Sequence, residues 1–271
     1  MAESSIVLIT GANTGIGYET VKALYTSAQP HTILMGSRSL AKANDAIFKL
    51  RSEVSDSKAQ VVPIQIDIED DASIENACKE VKSKYGRLDA LVNNAGGAFD
   101  QLERDDPSPP GIRAAWDKDY SLNVTSTQVT THIFAPLLIA SPHSRLLFVT
   151  SGLSSLETCT GGTSSGILSV PQPKGWPKPP AITPTAYRAS KTALNMMMLE
   201  WKKLLEVDGV KVFGISPGFL ATNLGGMGAE VMRKMGAEDA SVGGIFIKDV
   251  VEGKRDGHTG SVINKDGVQP W

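Results

Sequence analysis

The chain has 271 residues, 41% of them hydrophobic, with 27 Lys and Arg against 29 Asp and Glu for a formal net charge of −2. That balance fits one well-filled α/β core, argues against a second independent domain, and offers no basic excess for nucleic acid or an anionic membrane surface. The opening MAESSIVLIT lacks a charged n-region and is too short in apolar residues for a signal peptide, and no run approaches the roughly 18 apolar residues of a membrane span, so a cytoplasmic location without membrane partners is expected.

Ser5 to Thr10 is rich in β-branched residues and reads as a buried first strand. It runs into Gly11-Ala12-Asn13-Thr14-Gly15-Ile16-Gly17, after which Tyr18 to Tyr25 has helical spacing. A strand, a glycine turn and a helix in that order bring free backbone N–H groups and the positive end of a helix to one spot, which suits a pyrophosphate. The spacing is G-x-x-x-G-x-G, distinct from G-x-G-x-x-G, and no Lys-Ser or Lys-Thr follows as a P-loop requires. His31 to Gly36 reads as the second strand, with Arg38 just beyond it and no acidic residue beside it to bond a ribose 2′-hydroxyl. An arginine fork matches a phosphate, so NADP(H) is expected in preference to NAD(H); the bland alternative is a solvated loop arginine.

Leu40 to Val54 is helical, Gln60 to Ile66 is a third strand, and Asp67-Ile68 closes it, where Asp67 either bonds an adenine edge or caps the next helix. Asp71 to Tyr85 is a helix and Leu88 to Val92 a fourth strand, ending in Asn93-Asn94-Ala95-Gly96-Gly97, whose small residues admit a flat cofactor. The β-α-β-α-β-α-β order predicts a Rossmann-type doubly wound parallel sheet of about seven strands, covered by helices on both faces. A loop at Pro107 to Pro110 precedes a helix expected over Trp116 to Ala140, which carries Asn123. Arg145 to Thr150 is a fifth strand with Ser151 at its carboxyl end, where open α/β sheets place ligands.

Thr183 to Lys203 reads as one long helix, capped by Thr183 or Thr185, with Pro184 suited to its first turn. Tyr187 and Lys191 lie four apart on one face of it, so a phenol and an ammonium can share a cleft. A tyrosine needs a nearby cation to favour its phenolate at neutral pH. By itself such a pair also arises by chance on many helices. Lys211's strand follows over Val210 to Ser216, then Pro217-Gly218-x-x-x-Thr222, and Gly260 to Asn264 reads as the last strand.

Taken in order, Thr10-Gly11-x-x-x-Gly15-x-Gly17, Asn93-Asn94-Ala95-Gly96, Asn123, Ser151, Tyr187-x-x-x-Lys191 and Pro217-Gly218-x-x-x-Thr222 resemble the short-chain dehydrogenase/reductase family from about Ile6 to Gly267. The resemblance implies one NADP-binding domain over 1–271, resembling the carbonyl reductases, and a small-molecule carbonyl or alcohol substrate. It implies that Ser151 bonds the substrate oxygen, Tyr187 exchanges its proton, Lys191 holds the nicotinamide ribose and lowers the tyrosine pKa, and Asn123 supports a water-linked proton path. Cofactor contacts are implied at Gly11, Asn13, Thr14, Gly15, Ile16, Gly17, Arg38, Asp67, Ile68, Asn94, Ala95, Gly96, Tyr187, Lys191, Pro217, Gly218, Leu220 and Thr222. No metal is implied: Cys78 and Cys159 lack ligand spacing, and the four histidines form no cluster. A serine-hydrolase triad lacks its G-x-S-x-G elbow. Competing readings keep the fold but assign a non-redox step, or a non-catalytic NADP sensor.

The chain departs from the family's common pattern in 152–183, which separates Ser151 from Tyr187 by 36 positions. Rich in Gly, Pro, Ser and Thr, it is expected as an irregular insertion overhanging the active-site mouth, with Ile167 and Trp176 as apolar contacts, or as a modifier of a dimer surface. The segment 223–248 is expected to cover substrate, and Asp266 to Trp271 to form a tail that covers a neighbour. Monomer, homodimer and homotetramer all stay open.

Overall fold

The computed structural model describes residues 4–160, 173–176, 178 and 184–271. Ile167, Thr183 and more than half of the 152–183 insertion lie outside the described residues. One sheet of eight strands organises the fold, in the order β3-β2-β1-β4-β5-β6-β7-β8. The strands are β1 (Ser5–Ile9), β2 (His31–Ser37), β3 (Gln60–Gln65), β4 (Ala90–Asn93), β5 (Arg145–Val149), β6 (Lys211–Ile215), β7 (Val262–Asn264) and β8 (Gly267–Val268). All neighbours pair in parallel except β7 with β8, a short antiparallel addition at the edge. The chain order reverses between β1 and β4, which opens a crevice at the carboxyl ends of those two strands.

Period-two alternation sends each strand's residues to two separate cores. Val7 and Ile9 of β1 pack with Ile33 and Met35 of β2 beneath the helices α1 (Gly15–Tyr25) and α2 (Leu40–Glu53). Ile6, Leu8 and Leu34 face the other way, towards α3 (Asp71–Tyr85) and towards Phe134 and Leu138 further along the chain. Because both faces are covered, the strands are apolar along nearly their whole length.

Four regions differ from the sequence-based expectation. The helix expected over Trp116 to Ala140 begins earlier: α4 (Asp100–Asp105) is followed by α5 (Pro109–Tyr120), a π-helical turn at Ser121–Thr125, and α6 (Ser126–Ile139). Pro109 and Pro110 open α5 because a first turn needs no N–H partner there. The 152–183 insertion does not start as irregular chain: Gly152–Ser154 is a 3-10 turn and α7 (Leu156–Thr160) follows. The segment 223–248 divides. Its first part forms a 3-10 turn at Leu224–Gly226 and α9 (Ala229–Lys234), whereas α10 (Ala240–Val251) belongs to the core, its Phe246, Ile247 and Val250 packed with Val21 and Leu24 of α1. The tail folds back on its own chain, where the carbonyl of Trp271 accepts from the Ser155 hydroxyl at 3.2 Å and from the Glu157 N–H.

Among the described residues, no helix is long and apolar enough to cross a membrane.

Candidate active site

A cleft of about 860 Å³ opens over the crevice at the carboxyl ends of the strands. Its floor and one wall come from the glycine turn, the β4 end, the β5 end and the helix α8 (Thr185–Leu204). Of the residues singled out in the sequence, Ile16, Asn94, Gly96, Ser151, Tyr187, Lys191, Pro217, Gly218, Leu220 and Thr222 line it.

The glycine turn has the backbone its residues allow. Gly11 and Gly15 take φ of 62° and 57°, values open mainly to glycine. Gly17 starts α1 hard against the sheet, since a Cβ there would lie 2.6 Å from both Asn94 Nδ2 and the Gly11 carbonyl. Thr14 stands at the N-cap with no side-chain cap bond, and no hydrogen bond among the described residues engages the N–H groups of Gly15, Ile16 or Gly17. Three donors at the positive end of an eleven-residue helix are what an anionic pyrophosphate needs. The β4 end is clasped to this turn: Asn94 Nδ2 donates to the carbonyls of Thr10 at 2.8 Å and Gly11 at 3.2 Å, and Thr10 Oγ1 accepts from the N–H groups of Asn94 and Ala95. Asn93 instead donates to Thr131 Oγ1 of α6 at 2.9 Å.

Arg38, Asp67 and Ile68 stand apart from the cleft walls, beyond the ends of β2 and β3. Arg38 is exposed, and Ile68 is buried. Asp67 does not cap α3. Its Oδ1 accepts from the Glu69 N–H at 3.1 Å, while Asp70 caps the helix by accepting from Ala72 and Ser73.

Ser151, Tyr187 and Lys191 come together. The Ser151 hydroxyl, which accepts from the Leu153 N–H at 3.1 Å, lies beside the Tyr187 phenol and favours its ionised form, and the Lys191 ammonium lies 5.7 Å from the centre of the phenol ring. Lys191 Nζ donates to the Val149 carbonyl at 2.9 Å. Tyr187 and Lys191 are buried, and burial governs both: it pushes the phenol up to about 12 and pulls the ammonium down to about 8. The Ser151 hydroxyl opposes the first shift, and Asp119 opposes the second. Burial sets the direction for the phenol in the protein by itself, and Lys191 is not among the groups that act on it there.

Asn123 is wholly buried behind the cleft, in the π-helical turn, a break in regular helix that re-aims one side chain inward. Its Nδ2 donates to the Gly97 carbonyl at 2.9 Å, to Ser190 Oγ at 3.0 Å and to Asp119 Oδ1 at 3.2 Å, while its Oδ1 accepts from the Gly97 N–H at 3.0 Å. A Cβ on Gly96 would sit 2.7 Å from Asn123 Oδ1 and 3.3 Å from Lys191 Nζ, so this glycine is what lets the amide and the ammonium converge.

In the helix that carries Tyr187 and Lys191, Thr185 is the first helical residue and not the cap, and Thr183 lies outside the described residues. Pro184 occupies the N-cap position without a side-chain bond, and the Asp100 carboxylate caps the helix from 86 residues away, accepting from Ala186 N at 2.8 Å and Tyr187 N at 3.3 Å. Asp119, Thr150, Ser154 and Gln269 were also missed. Thr150 Oγ1 donates to the Lys191 carbonyl at 3.1 Å and to Asn195 Oδ1 at 2.7 Å, and the buried Gln269 props the Ser151 turn through the Ser151 carbonyl and Ser154 Oγ. An acid three residues after Gly97 was the available signal for Asp100; nothing local marks the others.

On the far side the cleft is apolar, with Phe219, Leu224, Met227, Met232 and Met235 facing Leu153. Arg104 and Arg188 add two cations to this lining.

The family profile described as short chain dehydrogenase matches residues 5–163. The short-chain dehydrogenase/reductase tropE of Talaromyces stipitatus is 43% identical over 272 residues, covering 100% of this chain and 99% of its own length. The short-chain dehydrogenase/reductase eupG of Phoma sp. is 45% identical over 275 residues, covering 98% of this chain and 97% of its own. In fold the chain is similar to the NADPH-bound carbonyl reductase from chicken fatty liver, with a TM-score of 0.74 and 21% identity over 100% of both chains.

Proposed function

The chain belongs to the short-chain dehydrogenase/reductase family, and from that premise we propose that it is an NADP(H)-dependent oxidoreductase interconverting the carbonyl and hydroxyl forms of a small, largely apolar metabolite. The observation that carries the reading is the convergence of the Ser151 and Tyr187 hydroxyls with the Lys191 ammonium, 5.7 Å from the phenol ring, on one cleft. A nicotinamide dinucleotide fits the remaining residues. The N–H groups of Gly15 to Gly17 suit its pyrophosphate, and Gly96 with Pro217 to Thr222 flanks the cleft beside Tyr187. The exposed guanidinium of Arg38 at the β2 end, with no acid beside it, favours a 2′-phosphate over a free ribose diol.

Bound there, the nicotinamide supplies or accepts the hydride. The protein does the rest. Ser151 donates to the substrate oxygen, Tyr187 exchanges a proton with it as alkoxide character develops or decays, and the Lys191 cation stabilises the negative charge of that region. A phenol raised by burial is protonated at neutral pH and can serve as the acid in carbonyl reduction. In this reading 1–271 is one cofactor-binding domain, in which Leu153 and Thr158 of the insertion and Met227, Met232 and Met235 beyond β6 border the substrate.

The test is NADPH and NADH binding by fluorescence, followed by cofactor absorbance during incubation with a panel of ketones and quinones. Wild type should bind NADPH more tightly, and Arg38→Ala should weaken NADPH by about tenfold or more while leaving NADH nearly unchanged. Tyr187→Phe should still bind NADPH and lose about 10²–10⁴ in turnover. Binding of neither dinucleotide by wild type, or turnover that survives in Tyr187→Phe, refutes the assignment.

A further inference from the structure

The four residues implied by the family resemblance do not exhaust the polar groups behind the cleft. Asp119, in the last turn of α5, is fully enclosed, and both of its oxygens are committed: Oδ1 to Asn123 Nδ2 at 3.2 Å, Oδ2 to the Phe99 N–H at 3.2 Å. Its neighbour across the loop, Asp100, is buried too and holds the N–H groups of Ala186 and Tyr187. Two enclosed carboxylates are costly, and a neutral residue could brace a loop at less expense in free energy. The charged and titratable groups that act on Asp119 are Asp100 from α4 and Lys191 from α8. Tyr187, also on α8, feels it in return. Lys118 on its own helix pairs with Glu69 at 3.0 Å and lies over the Phe99 ring, outside this cluster. Lys191 itself makes no ion pair among the described residues, and its ammonium bonds only a neutral carbonyl. The geometry is a line: the Asp119 carboxylate, the Asn123 amide, the bare edge of Gly96, the Lys191 ammonium.

We propose that Asp119 is a positioning residue of this site: its carboxylate fixes the Asn123 side chain and is the buried negative charge that keeps the Lys191 ammonium protonated. The proposal rests on the dehydrogenase reading of the cleft. Desolvation already draws Lys191 down to about 8, and Asp119 is the group that opposes it. Without that charge the ammonium loses its proton closer to neutrality, and the phenol, no longer repelled by a carboxylate, loses its own more readily as well. Both changes move the alkaline limb of carbonyl reduction to lower pH.

The experiment follows the Lys191 resonance by NMR of isotope-labelled lysine, assigned with Lys191→Arg, alongside pH profiles of kcat for whichever carbonyl compound the wild type turns over. In Asp119→Asn, an amide of the same shape, the Lys191 midpoint should fall by at least about half a pH unit, and the alkaline limb of kcat should fall with it. Asp119→Glu, which retains the charge, should restore the limb. A merely structural role predicts a uniform loss of kcat with the limb in place. A second reading needs no variant: in wild type the Lys191 shift should show an additional inflection near pH 6, where Asp119 titrates. A folded Asp119→Asn whose Lys191 midpoint moves by less than about 0.2 unit, or a wild-type titration without the inflection, overturns the proposal. These readouts are taken on the protein itself, whereas failure of the dehydrogenase reading appears separately, as absence of dinucleotide binding by the wild type.

Discussion

Replacing Asp100 with alanine should loosen the helix that carries both Tyr187 and Lys191. The carboxylate accepts from two buried N–H groups, Ala186 at 2.8 Å and Tyr187 at 3.3 Å, at a helix start whose own N-cap residue is a proline. Loss of an N-cap costs about 0.5–2 kcal/mol, and each buried N–H left without an acceptor costs about 1–3 kcal/mol. These overlap, since the cap is the acceptor. Relief of the repulsion that Asp100 exerts on Asp119 offsets part of the loss. A net destabilisation of about 2–3 kcal/mol follows, or a fall in Tm of roughly 5–10 °C for a domain of this size. Asp100→Asn keeps one carbonyl acceptor and should lose about 1 kcal/mol. The assay is thermal unfolding by circular dichroism beside urea titration, with the exposed Asp105→Ala as a control expected within about 0.5 kcal/mol. Because Tyr187 is one of the two residues held, kcat should fall more than KM rises. An Asp100→Ala protein that melts with the wild type and the control would show that the helix start is secured by something other than this carboxylate.

Two glycines test the close approaches around the cleft. Gly17→Ala drives a methyl into the Gly11 carbonyl at 2.6 Å and Ala12 Cα at 2.9 Å, both backbone, so it should cost about 1–3 kcal/mol and abolish dinucleotide binding, read by unfolding and fluorescence titration. Gly96→Ala presses a methyl against the buried, fully bonded Asn123 amide at 2.7 Å, so it should cost about 1–3 kcal/mol and lower turnover by about tenfold or more; an unchanged kcat would contradict the crowding. Burial raises the Asp119 carboxyl from 3.8 to about 6, so the folded protein holds that proton where the unfolded chain releases it. The associated stability is present below the unfolded value and is lost as pH rises through the folded one, at about 1.4 kcal/mol per unit. Asp119→Asn should therefore be more stable than wild type by about 1–3 kcal/mol at pH 8 and gain little at pH 4, and an equal gain at both pH values would show that ionisation is not the cause.

Much of this protein could be read along the chain. Ser5–Ile9, Gly11 to Gly17 and Asn93 to Gly96 declare a strand, a turn and a close approach through local backbone chemistry, and α3 was bounded correctly because Asp70 and Gly86 supply its cap and its left-handed stop within the segment itself. Tyr187 and Lys191 were legible as a pair because helical spacing alone puts them on one face. In those stretches the structure agrees. What the chain could not declare are the relations between distant segments: that Asp100 caps a helix 86 residues away, that Gln269 props the turn of Ser151, and that α10 is core rather than cover. The sign of the Tyr187 shift belongs with these, since it depends on how much water surrounds the phenol, and burial is a property of all the elements packed around it. Spacing determined which groups could meet; packing decided which charges they would carry when they did.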